Sequence, residues 1–434
     1  MIIPSIDLIK GKLVQLKQGK EKVIELANPR EFAQKYSLYT KIQLIDLDAA
    51  FGEGDNFELV KEICKFAECR VGGGIRTIQK AKELIDAGAS KLIIGTKANK
   101  EFLIELMREI GKEKIIVALD AKQGNISIQG WRVQNGKTVL ELAEELKDYC
   151  SEFLYTCIEK EGMMSGIDID TVFKLKNMTK NKISFAGGIS NYEEINQLNT
   201  LGVDAIVGMA IYTGKIDPIY SFICSLDFEK MNGLIPTIIK DEQGSILILA
   251  YSSKDSLKKA IETRQGWYFS RERNKLWMKG ETSGNTQELI DVKIDCDKDA
   301  LLFIVKQKGN ACHTNEYSCF GEEKKFNLQS LYEKIQERIK KPSPSSYTSK
   351  LVKNPNFLRR KIVEEAAEVI TENTQNKQRL TEEIADLMYN ILVYMAANKI
   401  SIEDIDAENL KRDKETLINA SNLNTEAKEE KWNQ

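Results

Sequence analysis

From its first residue to about residue 220, the chain alternates short apolar runs with amphipathic stretches of helical period. Ile2-Ile3-Pro4-Ser5-Ile6 and Ile115-Ile116-Val117-Ala118-Leu119 have the near-continuous hydrophobicity of strands buried on both faces, and Lys41–Leu47 reads as another strand. Ile78–Ala87 reads as a helix ended by Gly88. This alternation predicts a parallel α/β domain. The pattern stops around Asp217-Pro218, and a short helical linker leads to Asn232-Gly233. From there to about Glu323 the chain reads as short strands and turns, with Thr237–Lys240 and Ser245–Ala250 flanking Asp241–Gly244 as a hairpin. After Phe326 the period becomes helical: Leu328–Lys340, a break at the Pro342/Pro344 loop, then Asn356–Glu372 and Arg379–Ala397. Past about Asp413 the residues are polar and are expected to fray. The reading is multidomain: an α/β domain over 1–222, a β-rich α+β domain over 223–325, an all-α domain over 326–415 and a polar tail over 416–434.

The α/β part repeats itself. Asp7 and Asp120 each close one of the two apolar runs, and Gly73-Gly74-Ile75-Arg76 with Ile93-Ile94-Gly95-Thr96 answers Gly187-Gly188-Ile189-Ser190 with Ile206-Val207-Gly208-Met209 at nearly the same offset. A half-unit of about four strand–helix pairs occurring twice closes a (β/α)8 TIM barrel. The C-terminal strand ends of that fold carry the chemistry, so both aspartates share one mouth. A single aspartate at a strand end can simply cap the next turn. Repetition at matched ends favours a proton-transfer pair whose surroundings divide acid and base roles. Backbone N–H groups at glycine turns can approach phosphate. Gly73, Gly74, Arg76, Gly95 and Thr96 on one side, with Gly187, Gly188 and Gly208 on the other, imply a ligand phosphorylated at both ends.

Composition narrows the class. A chain of 434 residues has ample length for several cores, and 63 basic against 65 acidic residues leave no basic field for nucleic acid. Seven prolines and no long polar tract argue against extensive disorder. The chain enters a strand without a charged leader, and no apolar run reaches membrane-spanning length. A cytoplasmic protein with no membrane partner is the expectation. Eight cysteines then read as reduced thiols or metal ligands. His313 is the single histidine, so a general base elsewhere must be a carboxylate, a lysine or a hydroxyl.

Ile-Ile-Pro-Ser-Ile-Asp-Leu-Ile-Lys-Gly-Lys at the start, Asp46-Leu47-Asp48-Ala49-Ala50, Gly72-Gly73-Gly74-Ile75-Arg76 and Gly130-Trp131 carry a specific likeness. The whole barrel segment resembles the phosphoribosylformimino-aminoimidazole carboxamide ribonucleotide isomerases of histidine biosynthesis. The resemblance implies a cofactor-free Amadori rearrangement of a bis-phosphorylated aminoaldose to an aminoketose. Asp7 would remove the C2 proton, Asp120 would be the acid that helps open the ribose ring, and Thr156 would assist from the opposite wall. The related cyclase barrel usually reads Cys-Leu-Asp early, and Ser5-Ile6-Asp7-Leu8 fits the isomerase better. Glu161-Gly162 departs from the family's common Asp-Gly. A barrel that also accepts phosphoribosylanthranilate is the alternative within this class.

In the β-rich part, Asp295, Asp297 and Asp299 alternate with Cys296, and Cys312-His313 and Cys319 follow. Alternate residues of a strand share a face, so the three aspartates are expected to gather round a hard cation such as Mg2+. Cys296, Cys312 and Cys319 offer Zn2+ three thiolates and leave a fourth position open, as catalytic zinc requires. Buried structural cysteines beside an acidic turn are the plainer account. Asn232-Gly233-Leu234-Ile235-Pro236, Ser270-Arg271-Glu272-Arg273, Leu276–Gly284 and Asp295–Asp299 resemble landmarks of phosphoribosyl-AMP cyclohydrolase, which hydrolyses the N1–C6 bond of the adenine ring. The resemblance implies proton transfer by His313 in preference to mere orientation of the zinc shell. It also implies phosphate contacts from Arg271, Arg273 and Lys279, against a reading as solvated hairpin charges. Zinc ligands drawn from two subunits would make the chain a homodimer through this domain. Asn285 stands where many relatives have histidine.

In the helical part, Glu364, Glu365 and Glu368 precede Glu383 and Asp386. Glu365/Glu368 and Glu383/Asp386 each sit one turn apart, a repulsion of about a few tenths of a kcal/mol per exposed pair. Apolar neighbours Ile362, Val369, Ile384 and Leu387 turn these faces inward, and Mg2+ is the simplest neutraliser; a solvated acidic face is the other possibility. The motif is similar to the all-α nucleoside-triphosphate pyrophosphohydrolases, and Ser345-Ser346-Tyr347-Thr348 points to the phosphoribosyl-ATP member. That implies Mg2+-dependent cleavage between the α- and β-phosphates, with Lys361 among the phosphate contacts. Asn390 stands where relatives often have histidine. The three resemblances are successive steps on phosphoribosyl nucleotides, so a trifunctional histidine-biosynthesis enzyme is expected. A non-catalytic nucleotide-binding scaffold is the rival, and the intact acids and thiols speak against it.

Overall fold

A computed structural model describes residues 1–413 apart from 129, 132 and 411; the expected polar tail lies outside the described residues. The apolar runs become β1 (Ile2–Ile9), β4 (Ile42–Asp46), β5 (Cys69–Gly72), β6 (Lys91–Ile94), β7 (Ile115–Lys122), β10 (Glu152–Cys157), β11 (Lys182–Ala186) and β12 (Asp204–Val207). These eight strands pair in parallel, in the order β10-β11-β12-β1-β4-β5-β6-β7, and β7 closes back on β10 to complete the barrel. The duplication reaches beyond the strands. β1 runs on into antiparallel β2 (Lys12–Lys17) and β3 (Glu21–Leu26), and β7 runs on into antiparallel β8 (Asn125–Ile128) and β9 (Val133–Thr138).

The barrel interior is filled, not hollow. Ile3, Ile93, Ile116, Leu154, Ala186 and Ile206 form an apolar layer in the lumen. Toward the strand starts, Arg70, only 2% exposed, reaches across to Glu152 (2.7 Å) and Ser184 (2.9 Å), and Lys91 meets the same glutamate at 3.2 Å. This buried ionic knot plugs the base and leaves the strand C-termini as the open end.

The linker forms a helix, Pro218–Cys224, and leads into β13 (Ile235–Asp241) and β14 (Ile246–Ser252), the expected hairpin with slightly longer arms. The small strands β15 (Trp267–Ser270) and β16 (Lys275–Met278) pair with each other. β17 (Gln287–Ile294) and β18 (Leu301–Gln307) complete a four-stranded sheet of order β14-β13-β18-β17. Barrel and sheet make one compact unit, Met1–Glu323. Phe222, Leu226 and Phe228 share a core with Ile235 and Leu257, and the Val292 N–H donates to the Leu38 carbonyl at 2.9 Å. The strand expected through Asp295–Asp299 is not one: β17 ends at Ile294, and the next residues turn, with Lys298 at φ +66°.

The second unit, from Lys324, holds the helices Leu328–Lys340, Tyr347–Lys353, Pro355–Thr371 and Lys377–Ala397. Tyr332, Ile335, Leu351, Leu358, Leu392 and Val393 are buried together. The short helix Tyr347–Lys353 was hidden in the expected proline loop. Ser346 starts it by accepting from the Ser349 N–H, and Pro355 at the head of the next helix limits it. Among the described residues no helix is long and apolar enough to cross a membrane.

Candidate active sites

Asp7 and Asp120 line one cavity of about 320 Å³, together with Gly73, Gly74, Arg76, Gly95, Thr96, Gly187, Gly188 and Gly208. Ser5 Oγ donates to Asp7 Oδ1 at 3.3 Å, and Trp131 Nε1 donates to Asp120 Oδ2 at 2.9 Å. Burial raises the Asp7 carboxyl to about 7 against the pull of the Ser5 hydroxyl. Burial also raises Asp120, while hydrogen bonds from Trp131 and Thr156 hold it down. Two carboxyls of one type thus differ in their partners, the condition for divided roles. Thr156 stands across the barrel from Asp7 but beside Asp120: it lies level with Asp120 in the β7–β10 pairing and hydrogen-bonds to it.

The glycine pairs have a steric reason to exist. A Cβ on Gly73 (φ +100°) would meet the Asp46 carbonyl oxygen at 2.1 Å, and one on Gly187 (φ +101°) would meet the Cys157 carbonyl oxygen at 2.4 Å. Each turn therefore folds against the end of the preceding barrel strand, at equivalent places in the two halves. Arg76 donates to the carbonyls of Ala49 (3.1 Å) and Ala50 (2.6 Å), so its guanidinium already braces the loop after β4.

Glu161 is the residue the sequence undervalued. It lines the same cavity, accepts from Gln15 Nε2 at 2.9 Å and is raised to about 7 by burial and by the charges of Asp7 and Asp120. Its place in the family's Asp-Gly position was the available signal, but the sequence carried no measure of its burial.

In the β-rich part a second cavity is lined by Arg273, Trp277, Lys279, Asn285, Cys312 and His313 among others. Cys312 and Cys319 lie in hydrogen-bonding contact. Cys312 is the thiol that ionises first, lowered by the Thr314 hydroxyl 3.0 Å from its sulfur, while burial and the neighbouring sulfur push Cys319 up to about 11. His313 is exposed, with Nδ1 3.9 Å from the Cys312 sulfur. Burial lowers the Lys279 ammonium, which the two thiols oppose. Arg271 instead lies over the Tyr251 ring at 3.8 Å.

Three thiolates do not assemble within one chain: Cys296, Cys312 and Cys319 form no group within 4.8 Å. The reason is topological. Cys296 follows β17 at one edge of the sheet, whereas the Cys319 N–H bonds to Leu247 of β14 at the other. Asp295, Asp297 and Asp299 do bring oxygens within 4.8 Å of one another, through the turn and not along a strand face. Lys230 pairs with Asp297 (2.7 Å) and Asp299, and Asp295 accepts from the Asp299 and Ala300 N–H groups.

In the helical unit, Glu365, Glu368 and Glu383 bring oxygens within 4.8 Å of one another. Glu364 and Asp386 stand outside this group. Lys361 meets Glu364 (2.9 Å) and Glu365 (3.0 Å), and Arg379 meets the buried Glu383. The Glu368 carboxyl is raised by its contact with Glu383, followed by burial. Asn390 is buried, with Nδ2 donating to the Asp386 carbonyl at 3.0 Å.

Known families align with all three parts. Residues 1–217 match the histidine biosynthesis protein family, 248–321 match phosphoribosyl-AMP cyclohydrolase, and 328–413 match phosphoribosyl-ATP pyrophosphohydrolase. A phosphoribosyl imidazole-4-carboxamide isomerase of Methanocaldococcus jannaschii is 41% identical over 226 residues, covering 50% of this chain and 95% of its own. A histidine biosynthesis bifunctional protein of Pyrococcus furiosus is 42% identical over 202 residues, covering 44% of this chain and 96% of its own. A histidine biosynthesis trifunctional protein of Saccharomyces bayanus is 36% identical over 239 residues, 55% of this chain and 29% of its own length. The chain belongs to the histidine biosynthesis protein family, as an enzyme that joins an isomerase barrel to a cyclohydrolase and a pyrophosphohydrolase domain.

Proposed function

We propose that the chain converts phosphoribosyl-ATP, by pyrophosphate release, opening of the adenine ring and Amadori isomerisation, to the aminoketose form of the bis-phosphorylated carboxamide. The observation that carries the isomerase step is the pair Asp7 and Asp120 in one cavity, each with its own hydrogen-bond partners, between two glycine turns. Asp120 gives its proton to the ribose ring oxygen as the C1–O bond breaks and the C1–N bond gains imine character. Asp7 then takes the C2 proton, and the electron pair released forms the enolamine that becomes the ketose. A carboxyl near 7 suits the base, because it is largely ionised just above neutrality and still strong enough to accept a proton.

The donor sets fit the metals of the two hydrolytic steps. Cys312 and Cys319, one of them readily ionised, suit a soft cation, and Cys296 from a second copy would complete three thiolates in a homodimer. Zn2+ held there would supply Lewis-acid activation of water for attack at C6. Lys279 and Arg273 would hold the phosphate, and His313 would carry the proton. Asp295, Asp297 and Asp299 suit Mg2+ once Lys230 moves aside. Glu365, Glu368 and Glu383 crowd three carboxylates that a divalent cation would relieve, and Lys361 is placed to meet substrate phosphate. Purified full-length chain given phosphoribosyl-ATP, Mg2+ and Zn2+ should yield pyrophosphate and the aminoketose. Binding without turnover would instead support a scaffold.

A further inference from the structure

We infer that Gln43 is a positioning residue for the isomerase base, holding Asp7 through the hydroxyl of Ser5. The inference rests on the reading of Asp7 as the base. Ser5 and Asp7 are two apart on β1 and so share the lumen face. Gln43 lies directly opposite Ser5 in the parallel β1–β4 register. Its Nε2 donates to Ser5 Oγ at 3.5 Å, and Ser5 Oγ donates to Asp7 Oδ1 at 3.3 Å. Tyr212 donates to the Ser5 carbonyl and ties the same residue down from the far end of the barrel sequence.

The direction of the chain matters. A hydroxyl that receives the Gln43 N–H on its oxygen has its own hydrogen free for the carboxylate. With the amide reversed, Gln43 Oε1 would compete for that hydrogen and Asp7 would lose its donor. Gln43 is 4% exposed, lines the cavity, and keeps Oε1 without a partner. A buried acceptor left without a partner is unfavourable, a burden that a merely structural glutamine could shed. The Ser5 hydroxyl is the hydrogen bond that opposes burial at Asp7. The other ionisable groups around it are Asp120 on β7, Glu161 after β10 and Tyr212 after β12, with Arg76 and Lys97 as the lining cations. Asp120 and Glu161 are carboxyls whose ionisation disfavours charge on Asp7, and burial keeps the Tyr212 hydroxyl protonated, so losing the Ser5 hydroxyl should leave Asp7 protonated to higher pH.

The test is the pH profile of isomerase kcat/KM in the full chain carrying Ser5→Ala, Gln43→Met or both. Each single variant should move the acid limb upward by about half a pH unit or more. The double variant should move it no further than the larger single, because one relay is broken once, and Ser5→Thr, which keeps a hydroxyl, should leave the limb in place. Loss of rate with an unmoved limb in both single variants, or additive shifts in the double, would overturn the relay. Asp7→Asn separates the two readings: if it retains isomerisation, the base assignment itself fails. If it abolishes isomerisation while Ser5→Ala and Gln43→Met keep the wild-type limb, the relay alone fails.

Discussion

Asp7 and Glu161 place two carboxyls that titrate near 7 in one cavity, and burial is the first cause of both shifts. For Asp7 as base the catalytic sign is fixed: isomerase kcat/KM should fall as pH drops through about 7, as the base takes up a proton. The stability sign is the reverse. The folded carboxyl holds its proton to higher pH than the unfolded one, so its contribution is present in acid and is lost as pH rises through about 7. Asp7→Asn should therefore lower isomerisation by roughly 10²–10⁴-fold and raise the barrel's thermal midpoint at about pH 8 more than at about pH 5. A midpoint lowered at both pH values would contradict the burial argument. At the plug, Arg70→Met leaves the buried Glu152 with Lys91 as its charged partner and the Ser184 hydroxyl as a donor, and should cost about 3–5 kcal/mol in chemical denaturation. Asp7 and Asp120 were legible in the sequence because they repeat at matched strand ends. Glu161 showed itself only as a departure from a motif, because its proton affinity comes from neighbours brought in by the fold.

At the scale of elements, the duplication explains why the site has two ends. Gly73 and Gly187 occupy equivalent turns and each meets a backbone carbonyl of the preceding barrel strand. Alanine at either requires both a left-handed backbone and displacement of that carbonyl, so Gly73→Ala and Gly187→Ala should each destabilise the barrel by about 1–3 kcal/mol or more, read by thermal unfolding. The barrel, the hairpin β13–β14 and the long helices were readable from period and punctuation alone. Two local features were not. Asp295–Asp299 looked like a strand because polar and thiol residues alternate, yet the Asp295 carboxylate accepts from the Asp299 and Ala300 N–H groups and closes a turn. Tyr347–Lys353 was masked by its flanking prolines, although Ser346 is an ordinary N-cap.

For the whole molecule, the sheet order keeps Cys296 at the opposite edge from Cys312 and Cys319, and the proposed zinc site therefore takes its third thiolate from a second copy. Cys296→Ser and Cys312→Ser chains should each stall at phosphoribosyl-AMP. Co-expressed, they should regain about a quarter of the cyclohydrolase activity, since half of the dimers would hold one whole site. No recovery would place all the zinc ligands within one chain. Sequence spacing could not reveal the separation of these thiols, because distance between sheet edges is a property of strand order. The same independence of sites gives the most direct test of the barrel chemistry: the products formed from phosphoribosyl-ATP by the full chain carrying Asp7→Asn. The account predicts pyrophosphate at the wild-type rate and accumulation of the aminoaldose. Aminoketose formed at an undiminished rate would contradict it.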